Sequence, residues 1–165
     1  MLKIIRSIRE LNFGKLADVY TQSCQELETG SFSDIPLGQR ILLAEQDLYG
    51  EVKCFFADKN AFYAIWEVDG CYVSALRMEP YKDGLLLEGL ETKPSQRNKG
   101  YAKQLILAVL AELKESKAVI YSHIDKKNAA SIAVHCSCGF EKIQDIAVYA
   151  DGSVSHSGCT MRKMI

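Results

Sequence analysis

The chain predicts a mixed α/β fold of α+β type, one domain over residues 1–165 with the element order β-α-α-β-β-β-α-β-α-β-β. Three observations carry that prediction. Runs rich in aromatic and branched residues at 62–68, 71–78 and 85–92 are separated by Asp69-Gly70 and Asp83-Gly84. Asp-Gly between such runs signals a hairpin, because both turn positions favour positive φ, so the runs form an antiparallel meander. After the third run the connection changes to an amphipathic helix leading to another strand, which implies a parallel pair joined by a right-handed crossover. Finally, 165 residues is a natural size for one core, since folding at this length hides roughly two-thirds of the unfolded chain's surface.

Taken in order, Leu2 to Arg9 reads as a first strand. Asn12 is a fitting N-cap for a helix with Leu16, Val19, Tyr20 and Cys24 at helical spacing. Residues 29–36 (TGSFSDIP) read as a loop. A second helix spans about Gln39 to Phe56, with Ile41, Leu48, Val52 and Phe55 on one face and Gly50 as its weak point. The meander follows, its third strand running from Leu85 to Thr92. The next helix is placed at Asn98 to about Lys114, burying Ala102, Leu105, Ile106, Val109, Leu110 and Leu113. A strand at Ala118 to Ile124 comes next, then a helix from Asn128 to Cys138 that stops at Gly139, a residue suited to a C-terminal cap. Phe140 to Tyr149 and Val154 to Met164 close the chain as a hairpin about Asp151-Gly152. Trp66, Tyr63 and Tyr72 read as core packing across neighbouring strands rather than as a binding face.

Composition excludes several classes. With 48% hydrophobic and 25% charged residues, and 20 basic side chains against 21 acidic ones, nothing global points to nucleic acid or a membrane surface. Arg6 and Arg9 interrupt the first apolar run, and no stretch approaches the length of a membrane span, so a cytoplasmic location is expected. The 6 cysteines are scattered through apolar patterns in a chain large enough to need no staples, so reduced thiols are expected. His135, Cys136 and Cys138, with His156 and Cys159 downstream, do not have zinc-ligand spacing, because the CxC pair falls within a helix and has no CxxC partner. No metal is expected.

The chemistry concentrates where a strand, a Pro-containing turn and a helix start meet, at LLLEGLETKPSQRNKGYAK (85–103). The first N–H groups of a helix have no partner inside it, and the helix dipole adds partial positive charge, so an anion belongs there. Gly100 lets a ligand lie against the backbone, Ala102 keeps the next turn slim, and Arg97, Lys99 and Lys103 add cations around the same spot. The chain has no GxxxxGK[ST] and no GxGxxG after a first strand, which sets aside nucleoside-triphosphate and dinucleotide loops. What remains is [QR]xxGx[GA], filled by Arg97, Gly100 and Ala102.

Within these flanks the chain resembles the GNAT superfamily of N-acetyltransferases. Thr92-Lys93-Pro94 stands at the place of that family's V-x-P strand end. Arg97 to Ala102 matches its acetyl-CoA pyrophosphate loop, and residues 128–140 (NAASIAVHCSCGF) match NxxAxxxYxxxGF. The matches are tight in the C-terminal half, while the N-terminal half agrees only in element order. The resemblance implies two central parallel strands that splay apart, with acetyl-CoA as acyl donor between them. Its diphosphate would lie on the amides of Asn98, Lys99, Gly100, Tyr101, Ala102 and Lys103 beside Arg97. Its pantetheine arm would pair with the backbone of Leu90, Glu91 and Thr92, with Asn128 touching the cofactor as well as capping its helix. The Leu90 amide would donate to the thioester carbonyl.

Such transfer requires an amine stripped of its extra proton. Glu88 is the first candidate base, read as in phase with Leu90 and Thr92, and Glu91, on the other face, is the second; a water relay is a third route. At position 135 the chain carries His where the family usually carries a Tyr that protonates the leaving thiolate. A protonated His135 can serve as that acid or stand aside. No cysteine falls at a matched catalytic position, so direct transfer without a covalent intermediate is expected. The acceptor is a small-molecule or peptide amine, chosen by resemblance near Tyr20 to Gly38 and Ala147 to Gly158, with Glu26, Glu28 and Asp34 available to attract a cation. A monomer or homodimer is expected. A non-catalytic acyl-CoA-binding or sensing module on the same fold is the alternative, and a zinc-dependent interaction module is a more distant one.

Overall fold

The computed structural model describes residues 1–23, 36–116 and 118–165. Its elements are β1 (Leu2–Ile5), α1 (Phe13–Val19), α2 (Leu37–Phe55), β2 (Phe62–Val68), β3 (Cys71–Tyr81), β4 (Gly84–Thr92), α3 (Tyr101–Glu112), β5 (Val119–Asp125), α4 (Ala129–Ser137), β6 (Glu141–Gln144), β7 (Ala147–Val148), β8 (Val154–Ser155) and β9 (Gly158–Met164). Short 3₁₀ turns occupy Pro94–Gln96 and Lys114–Ser116. Seven strands form one mixed sheet in the order β1-β2-β3-β4-β5-β9-β6, and β7 and β8 pair apart from it.

The expected mixed sheet is present, and its alternation divides the core in two. Phe62, Ala64, Leu76, Met78, Leu87 and Ile120 point to the side covered by Leu105, Ile106 and Val109 of α3. Tyr63, Ile65, Tyr72 and Ala75 point to the other side, against Leu16, Val19 and Tyr20 at α1 and Val52 of α2. Full burial of each aliphatic side chain on the α3 stripe contributes about 1.5–3 kcal/mol, and Leu105, Ile106 and Val109 are all buried. Tyr63 and Tyr72 lie in the second cluster while Trp66 packs against the first, so these three aromatics do serve packing.

Several boundaries differ from expectation. β1 ends at Ile5 rather than Arg9, because Ser7 to Glu10 turn back, with the Glu10 N–H donating to the Ser7 carbonyl at 3.0 Å. Asn12 does cap α1, its side chain accepting from the Lys15 N–H at 3.0 Å. α3 starts at Tyr101 rather than Asn98, because Asn98 (φ 62) and Gly100 (φ 78) both adopt left-handed backbone that no right-handed helix contains. The long closing strand divides at Asp145-Ile146 into β6, which pairs with β9, and β7, which pairs with β8 about the Asp151-Gly152 turn. β9 thus enters between β5 and β6. Cys24 and nearly all of the 29–36 loop lie outside the described residues.

Two irregularities in the middle of the sheet shape everything that follows. The parallel β4–β5 pairing runs only through Leu85↔Ile120, Leu86↔Tyr121 and Leu87↔Ser122. Beyond it β5 continues to Asp125 against β9, and β4 continues to Thr92 against β3, so the central strands splay. In the same stretch Arg77 pairs with Glu88 while Ala75 pairs with Glu91. Two residues of β4, Gly89 and Leu90, therefore oppose Leu76 alone, which is a β-bulge with Gly89 at φ 56.

Candidate active site

The splay opens a cleft of about 650 Å³ between the free end of β4, the N-terminus of α3 and the N-terminus of α4. The sequence-predicted cofactor residues Leu90, Glu91, Thr92, Arg97, Asn98, Gly100, Tyr101, Ala102, Lys103 and Asn128 all line it, together with Gln22, Ser23, Gln96, Ala130, Ser131 and Val134. Lys99 stands just outside this lining, where its ammonium donates to the Gln96 side-chain oxygen at 2.8 Å.

Local geometry explains why an anion fits. Gly100 occupies the N-cap of α3 in the left-handed region, and no side chain caps the helix there. The first intrahelical bond runs from the Gln104 N–H to the Gly100 carbonyl at 3.0 Å. The amides of Tyr101, Ala102 and Lys103 precede it and open toward the cleft with the positive end of the helix dipole behind them. Arg97 is a brace as well as a cation. Its Nε donates to the Thr92 carbonyl at 3.1 Å and its Nη1 to the side chain of Gln22, fastening the loop to the end of β4. Asn128 caps α4, accepting from the Ser131 N–H at 3.0 Å, which leaves its NH₂ as the donor it can present to a ligand.

Along β4, the edge from Glu88 to Thr92 that faces β5 has no strand partner among the described residues. An extended amide-bearing chain can occupy that edge as an added strand would. One continuous cleft thus offers helix-start amides and cations at one end and an open strand edge at the other.

The bulge changes how the candidate bases are oriented. Strict alternation would put Glu88 in phase with Leu90 and Thr92. The extra residue at Gly89-Leu90 reverses this, so that Glu88, opposite Arg77, and Glu91, opposite Ala75, share the face toward Tyr20 and α1. Leu90 turns to the opposite face with Leu87, against the α3 core. Tyr20 locks the bulge by donating its hydroxyl to the Gly89 carbonyl, and burial pushes the Tyr20 phenol well above its ordinary pKa, so it stays a donor. Glu88 is half-buried and accepts from Arg77 Nη2 at 3.3 Å, while Ser23 donates to Glu91.

His135 is not brought into the cleft. It is 1% exposed, stacks edge-on against Phe140, and directs its Nδ1 at the Ser131 carbonyl one turn back at 2.8 Å. Burial lowers its pKa, so the neutral ring is favoured and the proton available for a departing thiolate is withdrawn. The residues one turn before it and next to it, Ser131 and Val134, are the ones that reach the lining. Cys138 is buried at the end of the same helix and Cys136 is exposed on it. Among the described residues no three His, Cys, Asp or Glu side chains gather as a metal-binding group, and no helix is long and apolar enough to cross a membrane. Glu26, Glu28 and Asp34 lie outside the described residues.

His123 is the functional candidate that the sequence reading passed over. It follows the last residue of the β4–β5 pairing, so it stands where the two strands begin to splay, a point no local pattern announces.

The model of the acetyltransferase (GNAT) family matches residues 21–140. The chain belongs to the GNAT family of acetyltransferases. Solved structures with this fold include the PaiA N-acetyltransferase of Thermoplasma acidophilum in complex with coenzyme A, at TM-score 0.69 and 15% identity over 100% of this chain and 99% of that one. The ribosomal-protein-S18-alanine N-acetyltransferase of Escherichia coli aligns at TM-score 0.66 and 14% identity over 100% and 94% of the two chains. The ribosomal-protein-alanine N-acetyltransferase of Brucella melitensis aligns at TM-score 0.62 and 20% identity over 99% of each. Comparison with curated proteins finds no match. As a GNAT acetyltransferase the protein takes acetyl-CoA as co-substrate and transfers its acyl group.

Proposed function

We propose that this GNAT protein transfers an acetyl group from acetyl-CoA to a primary amine by direct attack, with no covalent enzyme intermediate. The observation that carries the reading is that one cleft joins the N-terminus of α3, whose N-cap Gly100 supplies no side-chain cap, to the edge of β4 beyond Leu87, which has no strand partner among the described residues. The amides from Asn98 to Lys103 hold the diphosphate, with Arg97, Lys99 and Lys103 supplying positive charge. Leu90, Glu91 and Thr92 pair with the pantetheine arm, and Asn128 adds a donor from α4. The Leu90 amide, at the bulge where two β4 residues oppose one of β3, donates to the thioester oxygen as charge grows on it. One such donor is typically worth about 10²–10³ in rate.

The amine approaches from the face that carries Glu88 and Glu91, opposite the α3 core. Glu88 is the carboxylate that promotes removal of the proton, itself or through a group that relays it. Glu91 is the second candidate, supported by its place in the cleft lining. His135 stays in the core, and the thiolate leaves with a proton released by the amine. Two of the similar structures are named for acetylating an alanine of a ribosomal protein, so peptides with a free N-terminal alanine belong beside polyamines and amino acids as trial acceptors.

The test mixes purified protein with acetyl-CoA and this amine panel and follows release of free CoA thiol. Saturable release with at least one amine is expected. Arg97→Ala should raise the acetyl-CoA KM about 10-fold, the loss that follows from one charge-assisted hydrogen bond of roughly 1.5 kcal/mol. Tight binding of acetyl-CoA with no thiol released by any amine would leave a binding module in place of an enzyme.

A further inference from the structure

Glu88 and His123 are the first residues of β4 and β5 beyond the point where the two strands stop pairing. Leu86 and Tyr121, which are register partners two residues earlier, share one small cluster on that side of the sheet, so Glu88 and His123 emerge on the same face. His123 is half-buried among rings, edge-on to Tyr81 at 5.3 Å and to Tyr149 at 5.1 Å. Tyr149 belongs to the β7–β8 turn. The Tyr81 hydroxyl donates to the Val148 carbonyl, which holds that turn over the imidazole. Neither ring nitrogen of His123 finds a hydrogen-bond partner among the described residues, although both are shielded from solvent. A buried polar atom in that condition is costly unless something supplies the missing bond.

We propose that His123 is the group that takes the proton from the acceptor amine, with the Glu88 carboxylate across the splay stabilising the imidazolium that forms. This rests on reading the cleft as an amine acetyltransferase site. The proton accounting closes. The ammonium form of the acceptor gives one proton to a ring nitrogen of His123. The freed lone pair attacks the thioester carbon, the C–S bond breaks, and the second amine proton ends on the thiolate as CoA thiol. His123 gives up that proton once the products have left and water reaches the acceptor side.

The surroundings suit a base near neutral pH. Burial among Tyr81, Tyr121 and Tyr149 lowers the His123 pKa, Glu88 opposes that, and Lys82 from the β3–β4 turn adds to the lowering, so the ring is neutral when the substrate arrives. Glu88 is held in place by Arg77 Nη2 at 3.3 Å, where it can stabilise a cation across the splay.

Two measurements test this. In the CoA-bound protein, NMR titration of the histidine rings, with the His123 signal assigned by its loss in His123→Gln, should show Glu88→Gln reducing the proton affinity of His123 about threefold or more. An unchanged titration would break the pairing. With an amine taken from the panel, His123→Gln should lower kcat/KM by about 100-fold or more, the usual reach of a positioned base, and leave the acetyl-CoA KM within twofold. Added imidazole should restore part of the rate in His123→Gly, which a packing defect would not allow. Full turnover by His123→Gln with an unaltered pH profile would overturn the assignment while leaving the acetyltransferase reading intact. No thiol release by the unsubstituted protein with any amine would end both.

Discussion

The three histidines show how far one residue type is remade by its surroundings. His156 is exposed, His123 stands between two tyrosine rings where β4 and β5 begin to splay, and His135 is sealed in the core. For His135, Nδ1 is the donor because it faces the Ser131 carbonyl, so Nε2 carries the lone pair and has no partner among the described residues. Charging this ring in the folded chain is penalised, whereas in the unfolded chain it titrates near the ordinary value of about 6.5. At pH values between the lowered folded pKa and about 6.5 the unfolded state binds more protons. The stability linked to His135 is therefore complete above about pH 6.5 and is lost as pH falls toward and through the folded value. Melting temperatures of the protein and of His135→Leu between pH 5 and 7.5 should diverge, the parent losing more stability on acidification. Carboxylates and His123 contribute to both curves and cancel in the comparison. Parallel curves would show that burial does not bias this ring toward neutrality.

The element that most directly couples local backbone to chemistry is β4. Gly89 adopts φ 56, and a Cβ added there would lie 3.2 Å from the Tyr20 hydroxyl that anchors the bulge. Gly89→Ala faces left-handed strain of roughly 1–2 kcal/mol. It can relieve that strain only by withdrawing Tyr20 or by ironing the bulge flat. Flattening would turn Leu90 onto the face of Glu88, and Glu91 away from it, and so displace the backbone on which the thioester lies. Turnover should therefore fall about tenfold or more, while affinity for CoA, held mainly at the α3 N-terminus, changes less than threefold. Equal losses in turnover and in CoA affinity, by kinetics and calorimetry, would refute this division of labour. The same bulge marks where the sequence stops being legible. The meander, the crossover helix and the Gly139 stop (φ 82) are written in local signals: Asp-Gly pairs, a 3.6-residue stripe, a glycine cap. In LLLEGLET the lone Gly89 is the one local mark of a bulge, and it does not say that the inserted step brings Glu91 onto the side of Glu88. The end of the β4–β5 pairing, the entry of β9 between β5 and β6, and the burial of His135 all depend on contacts between distant segments. The loop at 97–103 was readable as a proposed phosphate cradle because its residues are consecutive, whereas the face that carries Glu88 and His123 was not, because its residues converge from β3, β4, β5 and the β7–β8 turn.

At the scale of the whole molecule, the sheet is two limbs joined along β4–β5 by only three register pairs, with α3 crossing between them. A donor seated in the cleft touches both limbs: β4 and the α3 N-terminus on one side, and the α4 N-terminus with Asn128 and Ser131 on the other. Binding confined to the folded state stabilises it by about 2.7 kcal/mol when the ligand is at a hundred times its dissociation constant. For a chain of 165 residues each 1 kcal/mol raises Tm by about 2–4 °C, so acetyl-CoA or CoA at that excess should raise it by about 5–10 °C. The distribution of the effect is as informative as its size. Pantetheine, which has the amides but not the diphosphate, should give a much smaller shift at equal concentration, because it leaves the amides of Tyr101 to Lys103 and the Arg97 cation unused. In hydrogen exchange, CoA should slow the amides of Leu90 and Thr92 on β4 together with those of the first turn of α3, since it completes an edge and a helix end at once. Protection confined to α3 would mean that the diphosphate is held but the β4 edge is not, and the thioester would then have no reason to lie beside Glu88 and His123.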